Sequence, residues 1–286
     1  MTMSDKYIDL HVHSSCSDGT LTPTQLVAYA AEKGLAAMAL TDHDTISGIA
    51  EAMEAAKQFG LELIPGLEFS TNYKGRDVHV LGLDIDWQDP AFVSALTEFR
   101  DSRDIRNRKM IARMQEAHID ITYEKMREEF PEAVWTRANF ARYLVNHGYV
   151  KKMSEAFERY VGDHAPCYVP REKVSPQQAV DLIHQAGGLA VLAHPMLYHL
   201  SNDEIDQLVA VLKLQGLDGI EAIYSTYRWL DESCVRQLAR KHKLCITGGS
   251  DFHGSNKPDI DLGTGRGNLA VPYELWTKLK QHVVYF

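Results

Sequence analysis

Two histidines one residue apart, His11 and His13, stand in the otherwise apolar opening run YIDLHVHSSCSDGT, with Asp18 shortly behind them. Alternate residues of a strand share a face, so both imidazoles point the same way, as a metal ion requires. A lone pair of this kind is also found among ordinary hydrogen-bonded histidines, and the rest of the chain has to decide. Asp42-His43-Asp44 ends the expected second strand, Glu68 ends the third within LELIPGLEFS, and His79 lies in the fourth, RDVHVLGLDID. His194 ends LAVLAH, and Asp251 and His253 end LCITGGSDFH. Almost all of these positions fall at the C-terminal end of an expected strand, the rim on which parallel α/β barrels build active sites. Strand interiors exclude charge, so chance is a poor account of this gathering. Asp42 neighbours His43 and points the other way, a supporting position and not a ligating one. His118, His147, His164, His184, His199, His242 and His282 fall on helices or loops and read as surface residues.

The elements that must position these groups alternate. After the first strand, Thr22-Pro23-Thr24-Gln25 starts a helix with a capping box and a proline in the first turn, and Gly34 ends it. AAMALTDHD reads as a strand, SGIAEAMEAAKQF as a helix closed by Gly60, and the Glu68 and His79 segments as two more strands. From about Pro90 to Tyr168 only helical periodicities appear, as in AFVSALTEFRDSRDIRNRKMIARMQEA and WTRANFARYLVNHG. Alternation resumes after YVPREKV with a second capped start, Ser175-Pro176-Gln177-Gln178. LAVLAH, GLDGIEAIYS and LCITGGSDFH follow as strands, with helices near 201–215, 229–243 and 273–282. This order predicts a mostly parallel, barrel-like α/β core over 1–90 and 169–286, interrupted by an all-helical insertion over 91–168.

At 286 residues the chain suits one barrel-sized unit carrying an insertion. Hydrophobic residues make up 45% and charged residues 24%, which excludes neither a packed core nor solubility and argues against disorder. A net charge of −9 argues against nonspecific binding to duplex DNA. Cys16, Cys167, Cys234 and Cys245 form no C-x-x-C pair, so free thiols are expected, not a disulfide framework or thiolate site. No secretory leader or membrane span is visible, and a cytoplasmic location is the expectation.

HVHSSCSDG, LTDHDT, IPGLEFS, the His79 strand, LAHP and GSDFHG resemble, in order and spacing, the motifs of the PHP (polymerase and histidinol phosphatase) family. The resemblance covers about 1–90 and 170–260 and implies a distorted (β/α)7 barrel with a trinuclear metal centre. Carried over by position, it implies His11, His13, Asp18, His43, Glu68, His79, His194, Asp251 and His253 as ligands. Nine side chains suit three ions, and a His and carboxylate set without thiolate suits Mn²⁺, Fe²⁺ or Zn²⁺. Three divalent ions against Asp18, Glu68 and Asp251 leave a site roughly three units positive by formal counting, which a phosphate ester matches. A hydroxide acidified by the ions would attack phosphorus in line. The general acid stays unassigned among His253, His194 and water.

The layout is similar to a subgroup of that family, the bacterial nucleoside 3′,5′-bisphosphate phosphatases that also act as 5′→3′ exoribonucleases on short RNA. The expected reaction is therefore loss of the 3′-phosphate from molecules such as pAp, with trimming of short 5′-phosphorylated RNA. Histidinol-phosphate phosphatase and a catalytically inactive metal-binding interaction module are the alternatives. Neither a membrane nor an obligate protein partner is expected. The insertion leaves the barrel at the rim and reads as a lid or specificity element, with Arg137 in WTRANFARYL as a clamp for a second phosphate and Arg142 nearby. Asn139 departs from the histidine often found there in the family. In FRDSRDIRNRK, Arg100, Arg103, Arg106, Arg108 and Lys109 are interleaved with Asp101 and Asp104, which reads first as a salt-bridged solvated face, with a track for an RNA backbone as the alternative. Arg266, on a Gly-rich loop, is a further candidate for phosphate contact, and Tyr224 and Tyr227 for either base stacking or rim packing.

Overall fold

Strands β1 (Tyr7–Val12), β2 (Ala37–Leu40), β3 (Glu62–Tyr73) and β4 (Arg76–Leu83) form the first half of the sheet, with helices α1 (Pro23–Glu32) and α2 (Ile49–Phe59) between them. Helices α3 (Pro90–Glu116), α4 (Tyr123–Glu129), α5 (Arg137–Asn146) and α6 (Met153–Ala156) follow, the last running into a π-helical turn. The second half alternates α7 (Pro176–Gln185), β5 (Leu189–Leu192), α8 (Asn202–Leu214), β6 (Gly219–Tyr224), α9 (Trp229–His242) and β7 (Cys245–Gly249), then β8 (Val271–Pro272) and α10 (Tyr273–Val284). This computed structural model describes residues 6–131, 133–169 and 174–284, excluding the side chains of 98–102 and 282–284. Residues 170–173 of YVPREKV and the side chains of Arg100, Asp101 and His282 thus lie outside the described residues.

The sheet runs β7-β6-β5-β4-β3-β2-β1-β8. It nearly closes on itself, because the chain leaving β7 bonds to β1: Asp251 N–H donates to His11 O (2.8 Å) and His13 N–H to Phe252 O (3.0 Å). Gly249 permits that approach, since a Cβ there would stand 2.4 Å from the Cβ of His11. Both capping boxes read from the sequence form, at Thr22/Gln25 and Ser175/Gln178, and Gly60 closes α2 in the left-handed conformation.

Two strands depart from the parallel pattern: the short β8 pairs antiparallel with β1, and β4 is the one that bears on the site. β4 is antiparallel to both β3 and β5, joined to β3 by a two-residue turn in which Lys74 (φ 50°) and Gly75 (φ 83°) are both left-handed. His79 therefore sits in the leading half of its strand, opposite Ser70, yet on the same rim as its neighbours' C-terminal ends. β3 also runs on past Glu68 to Tyr73 instead of ending there.

Helices α1, α2, α7, α8 and α9 bury Leu26, Ile49, Val180, Leu208 and Val235 against the sheet. Trp276 and Leu279 of α10 pack with Ile8, Leu10 and Val191. A separate apolar cluster, including Met110, Met114, Trp135, Phe140 and Leu144, holds α3, α4 and α5 together. α3 serves both bodies, because Phe92 and Leu96 in its first turns belong to the barrel core. The exposed helical and loop histidines match expectation: His118, His147, His164, His184 and His199 are exposed, and His242 is half-buried against Asp206.

Candidate metal centre

Strand parity brings His11 and His13 to the rim together, where both are fully buried. The structure gathers all nine expected ligands there. Glu68 is the hub: its carboxylate lies 2.9 Å from His79 Nδ1, 3.0 Å from His43 Nδ1 and 3.1 Å from His194 Nε2. It also stands 3.3 Å from His13 Nε2 and 3.4 Å from His11 Nε2. Asp251 lies 3.3 Å from His13 Nε2, and Asp18 lies 3.2 Å from His253 Nε2.

Within each of four overlapping groups the donor atoms fall within 4.8 Å of one another, as a shared ion needs: His13/Asp18/His43/His253, His11/Glu68/His194, His11/His13/Asp251 and His43/Glu68/His79. The donors fit metal on a second count. His11 Nε2, both ring nitrogens of His13 and His194 Nδ1 are buried and find no hydrogen-bond partner among the described residues. Buried polar atoms are seldom left so.

Electrostatics agree with a site that collects cations. Burial alone would raise Glu68, but the imidazoles of His79, His43 and His11 hold it well below the usual carboxylate range. Asp18 and Asp251 are held low against burial too, Asp18 chiefly by His253 and His43, Asp251 chiefly by Lys257 and His253. For His11 and His13, burial opposes the charged form and neighbouring carboxylates outweigh it, taking His13 up to about 9. Burial pushes His43 down to about 3. Incoming ions must therefore displace protons from part of the cluster. His194 (φ 24°), Asp251 (φ 55°) and Asp44 (φ 50°) hold left-handed backbone at the rim, the local strain that functional sites concentrate.

The supporting contacts were only partly legible. Asp42 points away from the cluster, as its parity implies, and accepts from Ser14 N (2.8 Å), Ser14 Oγ (2.5 Å) and Ser17 Oγ (2.6 Å). Glu221 lies beside His11, and Lys257 Nζ and the Tyr224 hydroxyl each stand 2.5 Å from Asp251 Oδ2. Sequence reading passed over Glu221 and Lys257, which no motif marks. Tyr224 and Tyr227 are buried, with rings 5.1 Å apart; Tyr227 accepts from Met196 N (3.1 Å) as rim packing, while Tyr224 lines the cavity beside the cluster.

A cavity of about 520 Å³ opens on the cluster, and Arg103, Arg106, Arg137 and Lys257 line its walls with His43, Glu68 and His79. The solvated-face reading of FRDSRDIRNRK needs correction. Arg103 and Arg106 are buried, and Arg103 pairs with Asp44 and donates to Ser70 Oγ (2.7 Å). A tertiary partner on the barrel holds Arg103, and the adjacent Asp104 pairs with Arg108 instead. Arg108 alone of the described arginines there behaves as read, meeting Asp104 at 2.8 Å on an exposed face. Lys109 is exposed.

Arg137 lies in the cavity wall between Asp77 and Asp163, both at 2.7 Å. Asn139 caps α5 by accepting from Thr136 N (2.7 Å), while Thr136 Oγ1 donates to Asp18 Oδ2 (2.8 Å). Arg142 reaches Ser255 O (3.1 Å). Arg266 is exposed and is not among the cavity-lining residues.

A barrel rim with these donors defines the class of metal-dependent barrel hydrolases. The PHP domain matches residues 9–248, and the chain belongs to that family. It is 38% identical over 251 residues to a 5′-3′ exoribonuclease of Haemophilus influenzae, covering 88% of this chain and 91% of that protein. It is 35% identical over 279 residues to a 3′,5′-nucleoside bisphosphate phosphatase of Chromobacterium violaceum, covering 97% and 98%. A solved structure from Bifidobacterium adolescentis, described as a metal-dependent phosphoesterase, superposes with a TM-score of 0.86 at 29% identity over 97% and 96% of the two chains. The chain is accordingly a metal-dependent phosphoesterase of PHP type, a hydrolase of phosphoester bonds. Among the described residues no helix is long and apolar enough to cross a membrane.

Proposed function

We propose that this enzyme removes the 3′-phosphate from nucleoside 3′,5′-bisphosphates such as pAp and trims short 5′-phosphorylated RNA from its 5′ end. The observation that carries the reading is one continuous cavity with the histidine and carboxylate cluster in one part of its wall and Arg103, Arg106 and Arg137 in another. Such a cavity matches a substrate with two anionic groups, and its volume lies in the range of small-molecule sites. The names of the relatives at 35–38% identity favour nucleotide and RNA substrates.

We assign His11, His13, Asp18, His43, Glu68, His79, His194, Asp251 and His253 as ligands of three divalent ions, with Mn²⁺ first and Fe²⁺ or Zn²⁺ as alternatives. When bound, such ions supply Lewis acidity and acidify water for in-line attack on phosphorus. The protein's part is positional. Glu68 touches five imidazoles and sets their mutual spacing. Lys257 and Tyr224 fix Asp251, and Thr136 fixes Asp18.

Residues 91–168 serve as the specificity element in this reading. They dock on the rim: Arg103 meets Asp44, Thr136 meets Asp18, and Val134 N–H donates to Cys16 O (2.9 Å). Arg137 takes the second phosphate by exchanging one of its two carboxylate partners.

Phosphate release from pAp, AMP, histidinol phosphate and a short 5′-phosphorylated RNA by Mn²⁺-loaded protein tests the proposal, with His43→Ala as control. Turnover of pAp that the control loses supports it, and RNA turnover extends it. Activity on histidinol phosphate alone, or full activity in the control, overturns it.

A further inference from the structure

We infer that Glu221 is a positioning residue for part of the metal centre: its carboxylate orients His11 through the ring and His194 through the backbone. The inference rests on the ligand reading above. Glu221 stands on β6 and is fully buried. Its Oε1 lies 3.0 Å from His11 Nδ1, and its Oε2 lies 3.3 Å from the same nitrogen. Oε2 also accepts the backbone N–H of His194 at 2.9 Å. One carboxylate thus grips two residues that come from β1 and from the end of β5.

The chemistry explains why both grips matter. A carboxylate beside Nδ1 makes that nitrogen the donor, which leaves the lone pair on Nε2, the buried atom that finds no hydrogen-bond partner among the described residues. Nε2 is also the His11 atom that faces Glu68 at 3.4 Å and Asp251 at 3.6 Å. His194 holds a left-handed backbone (φ 24°, ψ 54°), which a histidine adopts only when its surroundings insist. The bond from its N–H to Glu221 is one such constraint, and it carries the ring toward Glu68 at 3.1 Å.

The grip is selective. His11, Glu68 and His194 form one of the groups able to share an ion, and Glu221 touches two of its three members; through His11 it also touches one member of the His11/His13/Asp251 group. It contacts no member of the His13/Asp18/His43/His253 group through a described hydrogen bond or ion pair, so that ion should be indifferent to it. Outer carboxylates on ligating histidines typically account for roughly 10–100-fold in metal affinity.

The test is metal content and affinity of Glu221→Gln, read by mass spectrometry of the dialysed protein and by calorimetric titration with Mn²⁺. Glutamine keeps the volume but presents an NH₂ group to at least one of the two N–H donors, so one grip is lost. The expected result is roughly 10–100-fold weaker binding of the ions held through His11 or His194, with the ion of the His13/Asp18/His43/His253 group bound as in wild type. Circular dichroism and melting of the metal-free variant check the fold independently of loading, and Glu221→Ala gives the full truncation where it folds. Unchanged affinity in Glu221→Gln overturns the inference. So does a uniform loss of every ion accompanied by a lower metal-free melting temperature, which marks a merely structural carboxylate. Wild-type protein that takes up no metal sinks the ligand reading itself, a result distinct from either.

Discussion

The buried pair between Arg103 and Asp44 makes a quantitative claim about how α3 is anchored. Both side chains are almost wholly out of water, at 4% and 0% exposure. Arg103 further donates to Ser70 Oγ at 2.7 Å, and Asp44 Oδ1 accepts Ser70 N–H at 2.9 Å. Arg103→Met removes the cation and leaves Asp44 charged and buried, an imbalance that costs about 3–5 kcal/mol. Asp44→Asn removes the opposite charge while retaining an acceptor for Ser70, and asparagine tolerates the φ of 50° found there. The double variant carries no unpaired charge and should recover much of the loss, giving a coupling of about 2–3 kcal/mol. At about 2 °C per kcal/mol for a chain of this size, Arg103→Met should melt roughly 6–10 °C below wild type in chelator. The assay is calorimetric melting of the four metal-free proteins, with hydrogen exchange along α3 to locate the opening. Single variants that melt within about 1 °C of wild type, or losses that simply add in the double variant, would refute the anchoring argument.

Other consequences follow from the same geometry. Gly249→Ala places a Cβ 2.4 Å from that of His11, so it should destabilise the protein by about 1–3 kcal/mol in melting experiments and reduce turnover by displacing a ligand. Chelation should abolish phosphate release reversibly and lower the melting temperature, since an ion held at 100 times its dissociation constant stabilises the fold by about 2.7 kcal/mol. His184 Nε2 lies 2.9 Å from Asp218, whose hydrogen bond raises the imidazole above its ordinary value against a smaller opposing effect of burial. Its contribution is therefore complete below about pH 6.5 and fades as pH rises through the raised folded value. The melting difference between wild type and His184→Gln should accordingly be largest in mild acid and shrink toward alkaline pH, and a gap that widens with pH would contradict the sign.

What the sequence disclosed and what it hid divide along a physical line. His11 and His13 were legible because strand parity is a local rule, and the capping boxes of α1 and α7 because a Ser or Thr and a Gln three residues on satisfy each other without outside help. His79 was found within its strand, but nothing marked that strand as antiparallel. The reversal of β4 hinges on Lys74-Gly75, and lysine in a left-handed turn position is not the Asn or Asp that ordinarily signals such a hairpin. Arg103 was misread for a deeper reason. Its neighbours Asp101 and Asp104 offer a plausible local pairing, whereas its real partner Asp44 lies 59 residues away and is chosen by the packing of α3 on the rim. Glu221 was invisible on the same account: one acid in a short apolar strand has no periodicity to betray it, and its partner His11 is 210 residues distant. Ligands must project from strand ends and so inherit the strand's own rhythm. The groups that hold them answer only to tertiary geometry, and for that reason a motif names the residues that touch a metal far more readily than those that aim them.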